Sequence, residues 1–159
     1  MANPFEDLPD NITKAQKILI SKKEQQRRLG NWQRTKELYE QYTGMVTECL
    51  TQLSEVMGWN GVISLDYNDD PQSYVNDHIV NWSLTFIRSK PYTISVHYSY
   101  FPEDHGPSFF IYFEDYHYEI GKPPIGDYQE AEKTDNDSRG SLIKSLKEGT
   151  VKLVKACKL

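Results

Sequence analysis

The sequence predicts an α+β fold: a two-layer sandwich with helices on one side of a four-stranded antiparallel meander sheet, in the order α-α-β-β-β-β-α. Three observations carry that prediction. Segments near both ends repeat apolar residues at three- and four-residue steps, the period of an amphipathic helix. Three central segments alternate apolar and polar residues in strict period two, the pattern of half-buried strands. Helices with one apolar stripe must bury it, and the apolar side of a meander is the surface available. At 159 residues the chain suits a single domain over 1–159, with a basic helical arm at 1–30 and an α+β body at 31–159.

Asp10 or Asn11 is placed to cap a first helix, which Gly30 is expected to end after Leu29. Its apolar positions are few, Ala15, Ile18, Leu19 and Ile20, among Lys14, Lys17, Lys22, Lys23, Arg27 and Arg28. So thin a stripe holds a helix weakly to its own domain, which marks this segment as the one to meet a partner. Asn31 is then expected to cap a stronger helix from about Trp32 to Met57. Leu38, Tyr42, Met45, Cys49 and Leu53 recur there at helical spacing, and Gly58 is placed to stop it.

The first strand signal alternates Ile63, Leu65 and Tyr67 with Ser64 and Asp66. The second sets Val80, Trp82, Leu84 and Phe86 against Asn81, Ser83 and Thr85; the third sets Tyr92, Ile94, Val96 and Tyr98 against Thr93, Ser95 and His97. A hairpin turning at Arg88-Ser89-Lys90 puts Phe86 opposite Tyr92, Leu84 opposite Ile94 and Trp82 opposite Val96. The polar sides then agree too, with Asn81 across from His97 and Ser83 across from Ser95. A slip by one residue breaks both matches, so the register is strongly specified. The fourth strand, about Ser108 to Ile120, begins apolar on both sides. Residues 121–139, rich in Pro, Gly and acids, read as a long loop. A last helix from about Ser141 to Lys158 carries Leu142, Ile143, Leu146, Leu153, Val154 and Cys157 on one stripe, and Gly149 and Thr150 weaken its middle.

The net charge of −5 hides an uneven distribution. Residues 1–36 hold eight Lys/Arg against four Asp/Glu, residues 37–136 hold four against seventeen, and residues 137–159 hold six against two. Basic ends therefore flank an acidic sheet region, where Asp66, Asp69, Asp70 and Asp77 offer an acidic surface to a basic partner. Any nucleic-acid contact is expected from the basic residues Lys22, Lys23, Arg27, Arg28 and Arg34, because the acidic region repels a phosphate backbone. No run is apolar enough to span a membrane, and the N-terminal residues lack the pattern of a signal peptide. The two cysteines, Cys49 and Cys157, fall on helical apolar stripes and read as small hydrophobes in a reducing, cytoplasmic setting.

Candidate chemistry centres on His97. His97-Tyr98-Ser99-Tyr100 resembles one of the paired motifs of the 2H phosphoesterases. That resemblance implies a histidine acting as acid or base beside a scissile phosphate, with a hydroxyl two residues on holding a phosphate oxygen. The second motif departs from the family: His117-Tyr118-Glu119-Ile120 has a carboxylate where the hydroxyl belongs. A looser grouping takes His97, Asp115 and His117 as neighbours on one sheet face, able to form a carboxylate-oriented base or a metal site with open positions. Asp66-Tyr67-Asn68-Asp69-Asp70, with Asp77 at the twelfth place, follows a calcium-loop count but has Pro71 where the turn glycine belongs. No nucleophile elbow, glycine-rich phosphate loop or specific metal-ligand spacing is present, and no cofactor is expected. The expected function is therefore a non-catalytic binding protein, an adaptor, inhibitor or assembly subunit. It would use its basic helix and acidic sheet region against another protein or a second copy of itself. A small hydrolase at His97 and a nucleic-acid-binding module at the first helix are the alternatives.

Overall fold

The computed structural model describes residues 3–66, 79–99, 108–115 and 126–159. The helical segments expected on either side of Gly30 join into one 48-residue helix, α1 (Asp10–Met57). Neither Gly30 nor Asn31 interrupts it. A helical glycine costs only about 1 kcal/mol, and Gly30 lies among good helix formers such as Arg27, Arg28, Leu29, Gln33 and Arg34. At its start Pro9, rather than Asp10 or Asn11, takes the capping position, and no side chain caps the helix. Asp10 lies instead in the first turn, where its charge complements the helix dipole. At the other end Gly58 adopts the left-handed conformation (φ 64°) expected of it, and the Gly58 and Trp59 amides close onto the Glu55 and Ser54 carbonyls.

Among the described residues five strands follow, each antiparallel to the next, in the spatial order β1 (Val62–Asp66), β2 (Ile79–Ile87), β3 (Pro91–Ser99), β4 (Ser108–Asp115) and β5 (Gln129–Lys133). The β2–β3 register is the one the side-chain pattern specifies: Phe86 opposes Tyr92, Leu84 opposes Ile94, Trp82 opposes Val96 and Asn81 opposes His97. The sheet has five strands rather than four because β5 forms inside the stretch expected to be loop. Gln129-Glu130-Ala131-Glu132-Lys133 has no apolar alternation, and it pairs through its main chain with residues 110–114 of β4. Charged side chains on such an edge discourage pairing with another chain.

Helix α2 (Arg139–Cys157) begins with the Ser138 hydroxyl accepting the Ser141 amide. It lies over β4 and β5, while α1 crosses β1 and β2 and touches α2. One side of the sheet is therefore covered. Val80, Trp82, Leu84 and Phe86 of β2 are buried there with Tyr92, Ile94, Val96 and Tyr98 of β3 and Phe109, Ile111 and Phe113 of β4. From above come Tyr42, Val46, Cys49 and Leu50 of α1 and Leu142, Leu146 and Leu153 of α2. Rings stack along this layer: Trp59 on Phe86 at 3.9 Å, Phe86 on Tyr92 at 5.4 Å and Tyr42 on Tyr98 at 4.8 Å. Gly149, expected only to weaken α2, has a packing reason: a β-carbon there would sit 2.1 Å from the Phe113 ring.

Candidate functional site

His97 lies on the sheet side turned away from both helices, between Asn81 of β2 and Phe110 of β4. It is half-buried, with its ring edge-on to Tyr112 at 5.0 Å. The small side chains of the same face form a ladder in which Ser83 meets Ser95 and Thr85 meets Thr93, each at 3.5 Å.

Asp115 does not join His97. In the β3–β4 register it opposes Tyr92, on the helix-covered side, whereas His97 opposes Phe110 on the other. The offset between the two residues along their strands decides the face, and the sequence alone left that offset open. His117 lies outside the described residues, so of the expected trio the structure describes two members, and it separates them.

Asp115 has a different employment. Only 3% exposed, it receives the Lys90 ammonium at 2.5 Å and the Tyr128 amide at 2.6 Å, while its own amide donates to the Tyr128 carbonyl. Burial alone would raise its carboxyl. The Lys90 hydrogen bond and the Tyr128 and Asp127 amides outweigh that and hold it below the ordinary value of 3.8. Gly126 lets the chain pass close by, since a β-carbon at that position would lie 2.1 Å from the Asp115 carbonyl oxygen. Asp115 thus ties the β2–β3 turn to the entry of β5. It is a structural carboxylate.

The basic residues Lys22, Lys23, Arg27, Arg28 and Arg34 lie along the N-terminal part of α1. Glu24 binds Arg27 at 2.7 Å and Arg28 at 3.2 Å, and these contacts, Arg27's foremost, hold its carboxyl below the usual range. Lys22, Lys23 and Arg34 are exposed and make no ion pair among the described residues. The Lys36 ammonium sits 5.4 Å from the Trp32 ring centre. A shallow depression of about 360 Å³ runs beside Lys17, Ile20, Ser21, Glu24 and Arg28, along one side of this helix.

What the sequence reading missed is the apolar side of the same segment. Ile12, Leu19 and Leu29 are 51%, 46% and 43% exposed. Ile12, Ala15, Leu19, Lys22, Gln26, Leu29 and Gln33 follow one another at alternating steps of three and four. At about 100° per residue this row lies on the side of α1 away from the buried Tyr42, Val46, Cys49 and Leu50. Ala15 and Leu19 are visible as apolar positions in the sequence, and Ile12 and Leu29 join them in one row once the residues are placed around the helix.

Of the expected acidic surface, Asp66 closes β1 opposite Asn81, while Asp69, Asp70 and Asp77 lie outside the described residues. Among the described residues no group of three His, Cys, Asp or Glu side chains is placed to hold a metal ion, and no helix is long and apolar enough to cross a membrane. Comparison with protein-family models, with curated proteins and with solved structures finds no match to this chain.

Proposed function

We propose that this chain is a non-catalytic binding protein, an adaptor, inhibitor or assembly subunit, that engages its partner through the N-terminal half of α1. One observation carries the reading: a helical arm that exposes Ile12, Ile18, Leu19 and Leu29 beside the exposed cations Lys22, Lys23 and Arg34. Large apolar side chains clustered on an exposed surface and rimmed by charge are the composition of an interaction site. With Asp115 on the opposite side of the sheet, the His97 face has less to offer as a hydrolase site than the arm has as a binding site. Two free cysteines, one buried and one half-buried, suit a reducing compartment such as the cytoplasm.

The test is differential capture from extract of the source cells, using the intact chain, a Leu19→Asp/Lys22→Glu variant and a His97→Ala variant. The reading requires proteins retained by the intact chain and by His97→Ala, and lost by the arm variant. Capture unaffected by the arm variant, or lost with His97→Ala, overturns it.

A further inference from the structure

From the spacing and charge of the arm we infer that its partner presents an acidic amphipathic α-helix, which packs lengthwise along the row from Ile12 to Gln33. This rests on the binding reading above and names the chemistry of the partner. Alternating steps of three and four keep one row of side chains facing a second helix, whose knobs enter the holes between them. The row extends over about 22 residues, roughly 32 Å at 1.5 Å per residue. Ile12, Ala15, Leu19 and Leu29 supply its apolar layers.

Charge selects the partner. From Asp10 to Lys36 the arm carries eight Lys/Arg against two Asp/Glu, and Glu24 is already engaged by Arg27 and Arg28. Lys22 stands inside the row and Lys23 beside it, both exposed and without an ion pair among the described residues. A facing carboxylate at the Lys22 layer, with further acids along the flank of Lys23 and Arg34, complements this pattern.

A second copy of the chain does not. In parallel alignment Lys22 meets itself, and in antiparallel alignment about residues 20 and 21 the two Lys22 side chains come within a turn of each other. A membrane surface fits less well than a helix, because Lys22, Gln26 and Gln33 interrupt the row. A bilayer calls for a broad apolar face, whereas a helix–helix seam accepts polar layers as devices that set register.

The experiment uses the intact chain and a synthetic helical peptide of about 25 residues, matched to three heptads. The peptide has leucine at alternating three- and four-residue steps, glutamate at the layer facing Lys22 and glutamates on its flanks. A second peptide replaces every glutamate with lysine. Fluorescence anisotropy should show the acidic peptide binding, with affinity falling as salt rises, and the lysine peptide failing to bind. Leu19→Asp should abolish binding. Lys22→Glu should weaken it about tenfold and improve recognition of a peptide carrying lysine at that one layer. Circular dichroism of each variant checks that α1 remains folded.

Equal binding of the acidic and lysine peptides, binding indifferent to Leu19→Asp, or no binding to either overturns the inference. So does a light-scattering dimer of the intact chain that Leu19→Asp dissolves, which would assign the row to a second copy. Binding to phosphatidylserine vesicles or duplex DNA in preference to the acidic peptide also overturns it. If capture from extract depends on the arm while the acidic peptide fails to bind, the binding function stands and the helical acidic partner falls.

Discussion

The two halves of α1 share one set of backbone dihedrals and differ in almost everything else. From Thr35 onward the helix is held from outside: Thr35, Val46 and Leu50 are fully buried, and the Trp82 indole donates to the Thr43 hydroxyl at 3.2 Å. Among the described side chains of α1 none before Thr35 is buried, and main-chain hydrogen bonds and the Glu24 contacts to Arg27 and Arg28 brace this part from within. Starting a helix is the costly step, and extending one already formed is nearly neutral for good helix formers. The packed half therefore acts as the nucleus from which the unpacked half grows. Amide hydrogen exchange should report this directly, with protection rising from Asp10 toward the buried half.

The largest expected effect comes from making one substitution in both halves. Leu50→Ala should destabilise the protein by about 2–5 kcal/mol, the range for a fully buried leucine. Leu19→Ala should change it by less than about 0.5 kcal/mol, as surface substitutions do. Urea titration of both variants makes the measurement. Similar losses would mean that the N-terminal half is packed in solution and is not the arm described above.

Next in size is Gly149→Ala, which tests how closely the sheet is covered. The added methyl group meets the Phe113 ring and must displace it or lift α2 from β4. A loss of about 1–3 kcal/mol is expected, as for overpacking in a dense core. Gly149→Ala in combination with Phe113→Leu should recover part of it.

Asp115 supplies a pH-dependent version of the same test. Its folded carboxyl has a pKa below the ordinary value of 3.8, so its contribution is complete above that value and is lost as pH falls through the lower, folded one. Asp115→Asn should cost about 1.5–3 kcal/mol near neutrality, typical of a hydrogen bond to a charged group. It should also flatten the acid limb of the stability profile below about pH 4. An unchanged acid limb would mean that other carboxylates govern acid unfolding.

How much of this was legible in the sequence follows from what holds each element. The β2–β3 hairpin could be read to the residue because Trp82, Leu84 and Phe86 must share a side with Tyr92, Ile94 and Val96, and a slip violates both faces. β5 could not, because Gln129–Lys133 is recruited by backbone pairing at an edge and by the Glu132 contact to Lys152 at 2.7 Å, neither of which leaves an apolar period. The His97–Asp115 grouping failed for a related reason. The alternation of β3 is clear, but β4 is apolar on both faces at its start, so the pattern did not fix which β4 residue opposes His97. The basic residues of the arm were legible as a cluster. Its apolar row was legible only in part, as Ala15 and Leu19, because Ile12 and Leu29 are spread along it across from the core stripe, and only the polar Gln33 lies past Gly30, the glycine that local rules read as a stop.

That glycine gives the smallest and most direct test of the comparison. Gly30 sits between the packed and unpacked halves, and nothing lies within 4 Å of where its β-carbon would be. It therefore has no steric reason to be glycine, and its φ is not in the left-handed region. If the arm is helical in solution, Gly30→Ala removes backbone freedom from the unfolded chain without a clash. It should add about 0.5–1 kcal/mol to the helix at that point. Global stability should change little, because residues before Thr35 contribute little to the core. The gain should appear locally, as slower amide exchange from Asp10 to Leu29 and a small increase in helical circular dichroism. Gly30→Pro is the opposing substitution: it removes a main-chain donor and should uncouple the arm while the body unfolds at nearly its original urea midpoint. Faster exchange of the arm in Gly30→Ala would show that Gly30 is a hinge, and that the two halves of α1 are two helices after all.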